Sequence, residues 1–109
     1  MQKRGKRVPV EEPSYRQSRL CRLLGNPMAF MVVQTLAENR EMSPREIARA
    51  VGRSVSRVSH VLASLRLAEV ARYETDGTRA KYRLKHRRET RSLLQALSEF
   101  IDSASSSRR

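Results

Sequence analysis

The chain has 109 residues with 23 Lys plus Arg against 11 Asp plus Glu, a formal net charge of +12, one Cys, no Trp and 39% apolar residues. That length admits one small domain, and the charge argues against an enzyme for neutral substrates and for an anionic polymer as partner. The excess is almost wholly Arg, whose planar fork matches phosphate and guanine, so nucleic acid is favoured over a membrane surface.

Residues 1–13 (MQKRGKRVPVEEP) hold Gly5, Pro9, Pro13 and almost nothing to bury, and read as a disordered basic arm. Such an arm is either a strand that follows the DNA backbone or minor groove or a solvated leader. Ser14, followed three residues later by Gln17, has the spacing of a capping box and predicts a helix to about Leu24, stopped by Gly25. Asn26 then offers a cap and Pro27 a first-turn proline for a strongly apolar core helix over Met28 to Ala37.

Ser43, Pro44 and Glu46 repeat the device and open a short helix with Ile47, Ala48 and Val51 on its apolar face, ended by Gly52. After Gly52-Arg53-Ser54 a fourth helix begins, with Val58, Val61, Leu62 and Leu65 at helical spacing. Two helices joined by three residues including Gly have helix-turn-helix spacing. On a helical wheel Ser56 and His60 lie opposite Val58, with Arg57 and Ser59 flanking them. This small, polar face suits a major groove about 12 Å wide.

From Glu69 the period changes to two, and Asp76-Gly77 marks a tight turn between strands, the second carrying Ala80, Tyr82 and Leu84 on alternate positions. The outward face holds Arg72, Arg79, Lys81 and Arg83, which serve either as a phosphate grip or as a charged edge that prevents aggregation. A last helix, about Arg87 to Asp102, places Leu93, Leu94, Leu97, Phe100 and Ile101 in one stripe. Ser103 to Arg109 (SASSSRR) reads as a flexible tail, leaving 14–102 as the folded domain.

Read together, the elements make a mainly α fold with a small β-hairpin: a winged helix-turn-helix of about five helices plus a two-stranded wing. The run Cys21-Arg22-Leu23-Leu24-Gly25-Asn26-Pro27 resembles the "lgnPtR" opening of the ArsR/SmtB family of winged helix-turn-helix repressors. Ser54 to Leu62 is similar to that family's "SqsxvSxHL" recognition helix, with His60 either one place before the usual His or in the first place of a His pair. Gly77, Arg79, Tyr82 and Leu84 match the wing pattern "GrxxxYxL", with Thr78 in place of its small or basic residue. Glu69 stands where the family commonly has Gly, so the turn before the wing is expected to differ in backbone geometry. The resemblance covers about Leu20 to Asp102 and implies a homodimer, paired through its first and last helices, that binds an inverted repeat as a repressor.

The expected base contacts are Ser54, Ser56, Arg57, Ser59 and His60, and the expected phosphate contacts are Ser43, Arg45, Arg53, Arg72, Thr78, Arg79 and Lys81. The expected dimer surface is Leu20, Leu23 and Leu24 with Leu93, Leu97, Phe100 and Ile101, apolar stripes that need cover on so small a chain. Partners are therefore double-stranded DNA and a second copy, with no membrane and no effector identified.

No cofactor or metal is expected. Glu46, Ile47, Ala48 and Arg49 occupy the place of the family's cysteine box, and His86 and Glu89 stand beside Arg87 and Arg88, whose charges oppose a divalent cation. Cys21 has no disulfide partner and is either a redox sensor tuned by Arg19 and Arg22 or a small packing residue. No nucleophile, base and orienter group together as a catalytic site. No apolar leader is evident and the longest uncharged run, Leu23 to Ala37, falls short of the roughly 20 apolar residues of a membrane span, so a cytoplasmic location is expected. An architectural protein that coats DNA by charge alone is the alternative; it calls for Lys and Arg where the fourth helix has Ser.

Overall fold

The computed structural model describes residues 12–106, arranged as α1 (Glu12–Leu24), α2 (Pro27–Glu38), α3 (Pro44–Val51), α4 (Val55–Leu67), β1 (Ala71–Asp76), β2 (Arg79–Leu84) and α5 (Arg87–Ser106). Five helices and one antiparallel hairpin make this a winged helix-turn-helix.

The caps at the middle helices form as their sequences dictate. Asn26 Oδ1 accepts the Ala29 N–H at 3.0 Å with Pro27 in the first turn of α2. Ser43 and Glu46 exchange both hydrogen bonds of a capping box, at 3.1 and 2.9 Å. Gly52 ends α3 at φ 69°, a left-handed conformation in which a Cβ is costly.

These helices enclose one core. Val32, Val33 and Leu36 of α2, Ile47 of α3, and Val58, Leu62 and Leu65 of α4 are fully buried, and Ala71, Tyr82 and Leu84 of the hairpin close the cluster. The strands pair Ala71 with Leu84 and Tyr73 with Tyr82 on one face, and Arg72 with Arg83 and Glu74 with Lys81 on the other. Met42 adds a short third rung, giving its N–H to the Tyr82 carbonyl at 2.9 Å and accepting the Tyr82 N–H at 2.8 Å. The hairpin is thereby fixed to the residue that precedes the α3 cap.

Four local expectations are corrected. Helix α1 already includes Glu12, so Ser14 is an interior residue and not a cap; Pro13 is tolerated in the first turn, where its missing N–H has no intrahelical partner. Residues 1–11 of the expected arm lie outside the described residues. At the other end α5 runs on to Ser106, because no Gly or Pro intervenes and each added residue gains a backbone hydrogen bond; only 107–109 of the expected tail lie outside the described residues. The hairpin turn is centred on Gly77-Thr78, one residue later than expected, with Gly77 at φ 67° in the first central position as a type II′ turn requires.

The fourth correction concerns Glu69. It adopts φ 66°, the left-handed region that a glycine enters freely, so the turn leaving α4 is left-handed despite the substitution. Glu69 is held there by an ion pair with Lys85, while the Val70 N–H reaches the Leu65 carbonyl at 2.9 Å.

Candidate nucleic-acid interface

Helix α4 has an anchored side and a free side. Val58, Leu62 and Leu65 are buried, while Ser54, Ser56, Arg57, Ser59 and His60 are all exposed. Ser54 Oγ accepts the Arg57 N–H at 3.2 Å as N-cap, which fixes the start of the helix and leaves its hydroxyl proton available. Ser56, Arg57 and His60 converge with Asn26 and Met28 around a shallow cleft of about 400 Å³ against the start of α2.

The residues expected to grip phosphate include exposed and engaged groups. Arg45, Thr78 and Arg79 are exposed. Arg53 folds back on its own turn, donating from Nη1 to the Gly52 carbonyl at 3.1 Å and the Val51 carbonyl at 3.4 Å. Arg72 and Arg83 both face Glu74 on the outward side of the hairpin, at 3.8 and 2.9 Å. Lys81 lies 3.9 Å from Glu46, with its side chain only 26% exposed. The Ser43 N–H, and next the Lys81 ammonium, hold the Glu46 carboxyl below its ordinary value of 4.5. In the free chain the wing is therefore partly neutralised by its own acids, a pairing that period-two reading of one strand at a time does not reveal.

The apolar surface is also divided. Leu23, Leu24 and Leu94 pack half-buried against the core, so they are support more than free surface. Leu93, Leu97, Phe100 (67% exposed) and Ile101 (63% exposed) lie open along α5. Tyr15 and Leu67, the latter 86% exposed, join Leu20 around an open groove of about 900 Å³ between α1 and the end of α4; neither had been expected there. Each sits apart from the apolar stripe of its own helix, which is why periodicity passed over it.

Sequence reasoning also missed two arginines of α5. Arg87 donates to the carbonyls of Leu36 at 3.2 Å, Ala37 at 2.8 Å and Asn39 at 3.3 Å, and Arg91 donates to Ala37 at 3.1 Å. They cap the C-terminal end of α2, where unpaired carbonyls and the helix dipole favour cations. The only signal in sequence is the i, i+4 spacing of two Arg after a helix lacking its own basic last turn.

Among the described residues no group of three His, Cys, Asp or Glu side chains is placed to hold a metal ion, and Cys21 is exposed. Among them, too, no single helix is long and apolar enough to cross a membrane.

The family model described as HVO_A0114 matches residues 26–90, more than half of the chain. This chain belongs to the HVO_A0114 family. The match takes in α2 to the start of α5, hence the whole helix-turn-helix and wing. This HVO_A0114 member is also 42% identical over 65 residues to the HTH-type transcriptional regulator KmtR of Mycobacterium tuberculosis, a match covering 60% of this chain and 49% of that protein. The chain thus aligns with about half the length of that curated relative.

Among solved structures, Rv0081 of M. tuberculosis superposes with a TM-score of 0.78 at 26% identity, over 90% of this chain and 98% of that one. The homodimeric winged helix-turn-helix DNA-binding domain of Mb0332 from Mycobacterium bovis, described as a possible ArsR-family regulator, gives 0.72 at 21%, over 88% and 91%. The antimony-specific transcriptional repressor AntR gives 0.72 at 19%, over 94% and 92%. The HVO_A0114 member thus shares the winged helix-turn-helix fold of these structures, as its capping, helix-turn-helix and wing motifs imply.

Proposed function

We propose that this chain is a sequence-specific transcriptional regulator, a repressor that binds an inverted repeat in double-stranded DNA as a homodimer in the cytoplasm, without a metal effector. The observation that carries this reading is the free side of α4: exposed Ser54, Ser56, Arg57, Ser59 and His60 on a helix whose opposite side is locked into the core. Small hydroxyls, an imidazole and one guanidinium make directional contacts with base edges, which a charge-only coat does not need. Ser43, Arg45, Arg53, Thr78 and Arg79 supply phosphate contacts at the helix-turn-helix and the wing tip. Arg72 and Lys81 join them only by exchanging Glu74 and Glu46 for phosphate. KmtR and AntR are named transcriptional regulators, which supports the reading.

The test separates readout from grip. Arg57→Ala is expected to cost roughly 1–3 kcal/mol on the operator and much less on random DNA, because a bidentate base contact matters only at the right sequence. Arg79→Ala is expected to weaken both DNAs alike and to lower the salt slope by about one, through one fewer counterion released. Equal losses for Arg57→Ala on operator and random DNA would favour the architectural alternative, which the charge of +12 also allows.

A further inference from the structure

At the leading end of α4 the exposed residues are not all polar. Val55 is the first residue of the helix and is 43% exposed, whereas Val58 one turn later is fully buried. The reason is geometric. Val55 lies about 60° from Val58 around the helix axis, on the shoulder between the core and the open face. At that end, residues 52–57 are all exposed, so no packed element covers the shoulder. Its isopropyl group is therefore part of the exposed surface at the leading end of the helix.

In a helix-turn-helix the first residues of the second helix are the ones that reach base edges. The major-groove edges offer hydrogen-bond donors and acceptors and a single apolar group, the 5-methyl of thymine. A branched aliphatic side chain cannot donate or accept, so the methyl is the only feature of the groove it can recognise. We infer that Val55 is a specificity-determining residue that packs against the 5-methyl group of a thymine in each half-site. The inference rests on the DNA-binding reading above and adds to the polar contacts a base preference that none of them supplies.

The experiment uses the full chain and an operator recovered by selection from random duplexes. Each thymine is replaced in turn by uracil, which removes the methyl and leaves the Watson–Crick edge unchanged. For the unmodified protein, affinity is expected to fall about fourfold at one position per half-site, the value of one buried methyl-sized group, and to be unchanged elsewhere. For Val55→Ala that difference between thymine and uracil should disappear at the same position while thermal melting stays at the unmodified value. Loss of the inference follows if no uracil substitution changes the affinity of the unmodified protein, or if Val55→Ala keeps the full thymine preference. A selection that enriches no sequence at all would instead overturn the regulator reading itself, and the inference with it.

Discussion

Arg87 ties the last helix to the middle of the domain, and removing its donors tests that role. In Arg87→Met the stem remains and the bonds to Leu36, Ala37 and Asn39 are lost. The Ala37 carbonyl keeps Arg91 at 3.1 Å, so it is not left bare; the Leu36 carbonyl loses its guanidinium partner. Hydrogen bonds to a charged group contribute about 1.5–3 kcal/mol each, but three sharing one guanidinium, two of them longer than 3.1 Å, do not add fully. A net loss of about 2–3 kcal/mol is expected, or a fall of roughly 10–20 °C in Tm for a domain of this size. Urea unfolding at fixed protein concentration measures it, with Arg88→Met, an exposed neighbour, as the control expected within about 0.5 kcal/mol of the unmodified chain. If the two variants unfold together, the arginine contacts with the end of α2 carry no energetic weight in solution, and the reasoning fails.

Other expectations follow from the same geometry. Glu46 has a lowered native pKa, so its stabilising contribution is complete above 4.5 and is lost as pH falls below that value through the native one; Glu46→Gln should flatten the acid limb of a pH-stability curve and leave its neutral-to-alkaline shape unchanged. At Glu69, φ 66° favours glycine, so Glu69→Gly is expected to hold or raise the Tm even though the Lys85 ion pair goes, whereas the β-branched Glu69→Val lowers it. For the proposed dimer, sedimentation equilibrium at micromolar protein should give twice the chain mass, and Leu97→Asp should shift it toward one by placing a carboxylate in the apolar contact.

What could be read in advance depended on whether the deciding interaction was local. Ser43 and Glu46, Asn26 and Pro27, and the Gly52 stop act within four residues, and all formed at the expected positions. The buried stripe of α4 was legible because a helix repeats its core side every three or four residues. Ser14 failed for the same kind of reason: a cap signal binds only where the helix has not already begun, and Glu12 and Pro13 begin it. Interactions between distant segments left no such trace. Lys81 looked like a free wing cation, and its partner Glu46 lies 35 positions earlier on another element.

That pairing bears on how the interface works. Met42 and Tyr82 share two backbone hydrogen bonds, and Lys81, one residue before Tyr82 on β2, pairs with Glu46, three residues after the Ser43 cap of α3. The wing and the start of α3 are therefore fixed to each other before any ligand arrives. A preset spacing between wing tip and recognition helix lowers the ordering cost of engaging both on one duplex. Within the wing, Glu74 holds Arg72 and Arg83; under the proposed function phosphate has to compete for them, which weakens contact with any polyanion and leaves discrimination to α4. In the proposed reading charge alone does not set where the protein binds; the acids that restrain its arginines favour sites where the polar residues and Val55 of α4 also find their partners.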